Sequence, residues 1–193
     1  NQGFPISGPM DSLSFRLANI LVENEDKAAA LECQFTGPTL KFKSKRTIAI
    51  TGANMSPKLD GNLIPMWESI EVKEGQVLEL SFAIIGARSY IAFSGGITSE
   101  RWLNSRSTFH KAGVGGIEGR AIQVGQKIHL GNNKIPAHRK INKDLIFLVP
   151  AGSEMEKAGK KLGMKIASEI FADRNYEDDG NLVSRLKKNA MIT

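Results

Sequence analysis

Up to about residue 141, glycine and proline cut the apolar residues into short runs, so this stretch must be built mainly of strands. Thr47–Thr51 (TIAIT), Ile70–Val72, Val77–Phe82 and Tyr90–Ser94 each read as a strand. Turns are expected at Asp60-Gly61, Glu74-Gly75 and Gly95-Gly96. Asp60-Gly61 followed by Asn62 is a hairpin signal, because these residues tolerate positive φ. Strands this short and this closely spaced suggest a barrel or sandwich. Asp11 or Ser12 can cap a helix over Leu13–Leu21, with Leu13, Leu17, Ile20 and Leu21 on one face. A second short helix is expected over Glu25–Leu31.

Beyond about residue 141 the rhythm changes. Leu145–Val149 (LIFLV) is an unbroken apolar run, as in a strand covered on both faces. Ser153 can cap a helix that ends at Gly163, and Lys165–Phe171 reads as the following strand. This β-α-β unit would begin a parallel sheet, and a lone unit cannot bury both faces of its strands. The polar, basic stretch Pro136–Lys143 is the expected seam. The fold class is therefore mainly β over residues 1–141, followed by a β-α-β fragment over 142–193.

Composition narrows the function classes. No apolar run approaches the ~20 residues that span a bilayer, and no secretory signal is legible before Ser12. No membrane partner is expected. Cys33, the single cysteine, excludes an internal disulfide framework and fits a small buried hydrophobe in a reducing cytoplasm. The net charge is +6, and Lys41, Lys43, Lys45 and Arg46 cluster. The alternation Lys41-Phe42-Lys43 reads as one solvated strand face, and no nucleic-acid motif accompanies it. His110, His129 and His138 show no metal-ligand spacing, so no metal is expected.

Several short motifs carry chemistry and also admit plainer readings. Ser7-Gly8-Pro9-Met10-Asp11 suits a turn followed by an N-cap. Asn104-Ser105-Arg106-Ser107-Thr108 sets three hydroxyls around a guanidinium, which suits a carboxylate or amide ligand. The same residues also suit a polar loop making its own side-chain turns. Arg88 could add a second cation or be exposed. Gly113–Arg120 (GVGGIEGR) lacks both the GxGxxG spacing and the Lys-Ser/Thr of a phosphate loop, so a loop packed on the β domain or lining a pocket is expected. Met164-Lys165 lies where a helix passes into a strand, unlike a biotin-bearing hairpin, so no covalently bound biotin is expected. Asp173, Arg174 and Tyr176 follow the second tail strand, where α/β sites are built, although such a pair is as often structural.

Taken together and in order, GFPISGPMD, RLANILVEN, AAALECQFTGPTLKF, ITGANM, GARSYIAFSGGI, LNSRST and GGIEGRAIQVGQ closely resemble the biotin-dependent carboxyltransferase-like family. That family includes the C-type subunit of 5-oxoprolinase, allophanate hydrolase subunit 2, part of urea carboxylase and an antagonist of a kinase inhibitor (KipA). Asn104 stands where the family usually has Gly. LVPAGSEMEKAGKKLGMKIASEIFADRNYEDDGNLVSR, over residues 144–193, resembles the LamB/YcsF family, which includes the A-type subunit of 5-oxoprolinase.

These resemblances imply a partial cyclophilin-like, carboxyltransferase-type β-barrel joined to a fragment of an α/β barrel, with each half incomplete. They imply a cytoplasmic component of the ATP-dependent enzyme that opens 5-oxo-L-proline to L-glutamate. ATP with Mg would serve the complete complex, and the partners would be the other 5-oxoprolinase subunits, one B-type and one complete A-type. The alternatives are the corresponding component of urea or allophanate metabolism, a KipA-like regulatory protein and an inactive fragment. On the 5-oxoprolinase reading Ser105, Arg106 and Ser107 are catalytic candidates, while Arg88, Thr108, Asp173, Arg174 and Tyr176 are candidates for substrate binding. Arg106 and Arg88 would hold the substrate carboxylate or phosphoryl oxygens, and the hydroxyls of Ser105, Ser107 and Thr108 would orient the ring amide or a water.

Overall fold

The computed structural model describes residues 7–133 and 135–141. The chain divides into two compact units, Asn1–Lys140 and Ile141–Thr193. The β-α-β unit expected beyond residue 141 lies outside the described residues, as do Asp173, Arg174 and Tyr176.

The first unit is mainly β. In chain order it contains α1 (Ser12–Leu21), β1 (Leu31–Gln34), β2 (Thr39–Lys41), β3 (Arg46–Asn54), β4 (Lys58–Leu59), β5 (Asn62–Leu63), β6 (Ser69–Val72), β7 (Val77–Glu79) and β8 (Ile85–Phe93). The strands form two four-stranded antiparallel sheets, in the orders β1-β8-β3-β6 and β2-β7-β4-β5.

The unbroken run TIAIT is explained by what covers β3. Ile48 and Ile50 face a core shared with the second sheet, together with Phe42, Val72, Leu78, Leu80, Ile91 and Phe93. The intervening Ala49 and Thr51 are also buried. Their face of the strand meets α1, because Thr51 Oγ1 donates to Ser14 O at 2.7 Å. Strand residues alternate between faces, so a strand covered twice needs apolar or small residues at every position. On the helix side Ala18, Ala49 and Ala92 are fully buried, and Phe15 meets Tyr90 edge-to-face at 6.1 Å.

Helix α1 begins as the sequence suggests, with the Asp11 carboxylate accepting from Ser14 N at 3.0 Å. Its buried face differs from the expected one. Leu13 is half exposed, and Ser14, Arg16, Leu17, Ala18, Asn19 and Leu21 are buried. Polar groups lie inward because each has a partner there. Arg16 pairs with Asp26 at 3.0 Å, and Asn19 Nδ2 donates to Ala28 O at 2.8 Å.

Those same contacts account for the missing second helix. Residues 25–31 form one turn, closed by Ala28 N–H on Glu25 O, and then enter β1. Ala28 O is taken by Asn19 and Ala29 O by Ile97 N–H, so helical bonds would have to displace tertiary ones. The expected strand Val77–Phe82 is also shorter, since β7 stops at Glu79. Leu80 N–H then turns to Pro38 O and Ser81 N–H to Met55 O.

Asp60-Gly61 forms the two-residue turn between β4 and β5, with φ of 49° and 80°. The Asp60 carboxylate accepts from Val77 N–H at 2.8 Å and Gln76 Nε2 at 2.7 Å. The bond from Val77 and then that from Gln76 hold its carboxyl below the ordinary aspartate range. Such a bond is complete above the ordinary aspartate range and is lost as pH falls through the lowered folded value. Urea midpoints measured from pH 7 down to pH 3 should therefore decline, and Asp60→Asn should lower the pH 7 midpoint and flatten that decline. At Gly52 (φ 83°) an added Cβ would strike the Arg88 carbonyl on β8. Gly52→Ala should cost roughly 1–3 kcal/mol of stability, read by urea unfolding.

Candidate functional site

Three chain segments that follow β8 build an open cleft of about 650 Å3 in the first unit. One wall is Thr98–Trp102, the other is Gly113–Gly119, and Lys127 and His129 complete it. The first wall is fixed by pairing across sequence. Ile97 bridges Leu130, and both the N–H and the Oγ1 of Thr98 donate to His129 O, at 2.9 and 3.0 Å.

The stretch carrying the sequence candidates lies between the walls in sequence. Trp102 and Ser105 exchange backbone bonds of 2.8 and 2.9 Å around Leu103 (φ 47°) and Asn104 (φ 63°). A left-handed backbone at position 104 suits Gly, and Asn is among the best-tolerated replacements, so the departure at Asn104 keeps the turn intact. Ser105 Oγ accepts from Ser107 N–H at 3.1 Å, the local side-chain turn that a polar loop would make. Phe109 and Val114 close the next turn.

Gly115 and Gly116 then run directly over this stretch. A Cβ at Gly115 would fall on the Ser107 carbonyl, and one at Gly116 on Thr108 Oγ1. Ser107 and Thr108 therefore support the glycine wall from behind. The expectation that GVGGIEGR lines a pocket agrees with this placement. Its amides are partly spent, with Gly113 N–H on His110 O, Val114 N–H on Phe109 O and Gly119 N–H on Gly115 O.

The remaining candidates are placed as follows. Arg106 is partly buried and is not among the residues lining the cleft. Arg88, within β8, pairs with Glu32 of β1 at 3.0 Å. Glu32 is the centre of a network at the start of α1. Its Oε1 also accepts from Tyr90 Oη at 3.1 Å and Met10 N–H at 3.3 Å, while Tyr90 Oη accepts from Asp11 N–H at 2.8 Å. Burial pushes the Tyr90 phenol above its usual range; the Asp11 bond opposes that shift and the Glu32 charge adds to it. Met10 and Asp11 thus clasp the start of α1 to the sheet.

Ser99, Glu100, Arg101 and Lys127 were not singled out by sequence. Nothing local marks them, since the cleft depends on pairing between positions 97–98 and 129–130. Glu118 is bonded to Arg120 on the exposed rim. Of the basic cluster, Lys45 pairs with Glu71 at 2.8 Å, and Arg46 donates to Gly131 O at 2.9 Å and Ser94 O at 3.3 Å. Among the described residues no group of three or more His, Cys, Asp or Glu could hold a metal, and no helix is long and apolar enough to cross a membrane.

Comparison with known proteins adds the following. The family described as "Carboxyltransferase domain, subdomain A and B" matches residues 2–173. The urea amidolyase of Saccharomyces cerevisiae is 42% identical over 132 residues, which is 68% of this chain and 7% of that protein. The C-type subunit of Haemophilus influenzae 5-oxoprolinase is 35% identical over 69% of this chain and 43% of its own length. The A-type subunit of Clostridium beijerinckii 5-oxoprolinase is 54% identical over 54 residues, 28% of this chain and 21% of its own. The crystal structure of Kluyveromyces lactis urea amidolyase superposes with a TM-score of 0.70 at 37% identity, covering 77% of this chain and 10% of that one. The chain thus spans less than half the length of each of these relatives.

Because Gly116 rests on Thr108, Gly116→Ala should loosen residues 107–119. Amide hydrogen exchange there should quicken, while the urea midpoint moves less than for Gly52→Ala.

Proposed function

The chain belongs to the carboxyltransferase domain family, subdomain A and B, and from that premise we propose that it is a component of an ATP-dependent 5-oxoprolinase. Opening the lactam of 5-oxo-L-proline to L-glutamate would be the reaction of the assembled system. The observation that carries this reading is the joint similarity of one chain to two different subunits of the same enzyme, the C type and the A type. Similarity to urea amidolyase covers 68% of the chain, whereas the similarity to the A type, over 28%, has its counterpart in 5-oxoproline metabolism. The partners are then a B-type chain and a complete A-type chain, in the cytoplasm.

A lactam resists opening because amide resonance protects its carbonyl, so charge developing on the oxygen must be met by preorganised donors. Ser105, Ser107 and Thr108 would act by fixing the glycine wall of the cleft, and Arg106 by reaching the bound substrate when the complex assembles. Arg88 would hold its place in the Glu32 network unless that pair opens, and Asp173, Arg174 and Tyr176 would contribute from the tail. ATP with Mg belongs to the complete complex, and the Gly113–Gly119 loop does not fit a triphosphate. Three of its amides are already bonded within the turn, and no Lys-Ser/Thr pair follows it. No covalently bound biotin is part of this reading.

The second reading, a component of urea or allophanate metabolism, is favoured by the 42% identity to urea amidolyase. Co-expression with the B-type and A-type chains decides between them. Glutamate released from 5-oxo-L-proline, dependent on ATP and on this chain, supports the first; activity on urea or allophanate instead would replace it. In an active complex, Arg106→Ala should lower kcat/KM for 5-oxo-L-proline about tenfold or more. Unchanged kinetics would remove Arg106 from the site.

A further inference from the structure

The cleft holds cations and a hydroxyl that no neighbour among the described residues satisfies. Arg101 and Lys127 line it, and neither enters an ion pair among those residues. The Oγ of Ser99, on the same wall, is buried without a hydrogen-bond partner. A buried hydroxyl left unpaired is destabilising, and a side-chain rotation that turns it into the cleft would let an acceptor brought by a ligand recover that cost. Two acidic side chains also line the cleft. Glu118 is occupied by Arg120, which leaves Glu100, among the described residues, as the one lining carboxylate without an ion pair, against Arg101 and Lys127. The balance favours an anion. Trp102, Val114 and Ile117 supply apolar surface beside these groups.

We infer that this cleft binds a small organic carboxylate with a compact apolar body, with Arg101 and Lys127 pairing with the carboxylate and Ser99 Oγ, after rotation of its side chain into the cleft, donating to one of its oxygens. Arg guanidinium and Lys ammonium suit such a group by charge-assisted bonds, and a ring fits between the Trp102 wall and the glycine wall. Identifying the carboxylate with 5-oxo-L-proline rests on the 5-oxoprolinase reading; the carboxylate class itself does not. Anion recognition in the chain by itself then rests on residues that line the cleft, and Arg106 adds its contact when the complex assembles.

The test uses the full chain and three probes: 5-oxo-L-proline, cyclopentanecarboxylate, and 2-pyrrolidinone, which has the ring but no carboxylate. The two carboxylates should shift backbone amide resonances of residues 98–102 and 113–119 saturably, and 2-pyrrolidinone at the same concentrations should not. Arg101→Met and Lys127→Met should each weaken that binding about tenfold or more, Ser99→Ala less, and Lys43→Met, at the exposed bend after β2, should leave it unchanged. Circular dichroism verifies that each variant is folded. Binding by neither carboxylate, equal binding of 2-pyrrolidinone, or shifts confined to other regions would overturn the inference. In the assembled complex, the two Met variants should raise KM for 5-oxo-L-proline without changing KM for ATP; an unchanged KM for 5-oxo-L-proline would also overturn it. A complex that releases no glutamate, alongside a chain that still binds cyclopentanecarboxylate in the cleft, would remove the 5-oxoprolinase reading and leave the carboxylate site standing.

Discussion

The pairing of β3 with β8 is the constraint on which the rest of the first unit depends. Both strands are nine residues long and run antiparallel from Ile48↔Phe93 to Asn54↔Ile85, with a register shift between Gly52 and Asn54. One face of the pair supplies Ile48, Ile50, Ile91 and Phe93 to the core between the sheets. The other face seats α1 through Thr51, and Ser89 Oγ donates to Thr51 O at 3.1 Å as a further tie between the two strands. β1 and β6 are added at the two edges. β8 is also the strand from which the chain passes, through Gly95-Gly96, to the first wall of the cleft, so the site inherits its position from this ladder.

What could be read from the sequence follows from how local the deciding force is. Strands with unbroken apolar runs were legible because burial on both faces leaves its mark at every residue, as in Thr47–Thr51. The Asp60-Gly61 turn was legible because its backbone angles restrict residue choice on the spot. The segment 25–31 was misread because its helix-forming residues are held by Asn19 and Ile97, partners distant in sequence. Leu13 was placed on the wrong side of α1 for a related reason. Arg16, Ser14 and Asn19 find partners inside, and apolar periodicity cannot report a buried polar group that is satisfied.

The site was partly legible in the same sense. The glycine loop carries its own signature, and its role as a wall followed from what it lacked as well as what it had. Ser105–Thr108 drew attention as a polar cluster, and its geometry places two of its members, Ser107 and Thr108, behind the loop they support. Arg101 and Lys127 are 26 positions apart and converge only because the segment after β8 pairs with residues 129–130, a contact no local pattern encodes. The β framework is similar to that of the Kluyveromyces lactis urea amidolyase, and a framework shared in this way does not by itself set a substrate.

Cys33 gives the first unit an internal clock. The residue lies on the core side of β1, and burial, with the Glu32 charge adding to it, pushes its thiol up to about 12. A thiol held this far from its ionised form is nearly inert to alkylating reagents at neutral pH. Modification needs an opening that exposes the core face of β1, the edge strand paired with β8 from Leu31↔Ile91 through Gln34↔Arg88. With no second cysteine to confuse the signal, the rate of labelling counts the openings of that edge, and so times how often the sheet beneath the α1 clasp breathes.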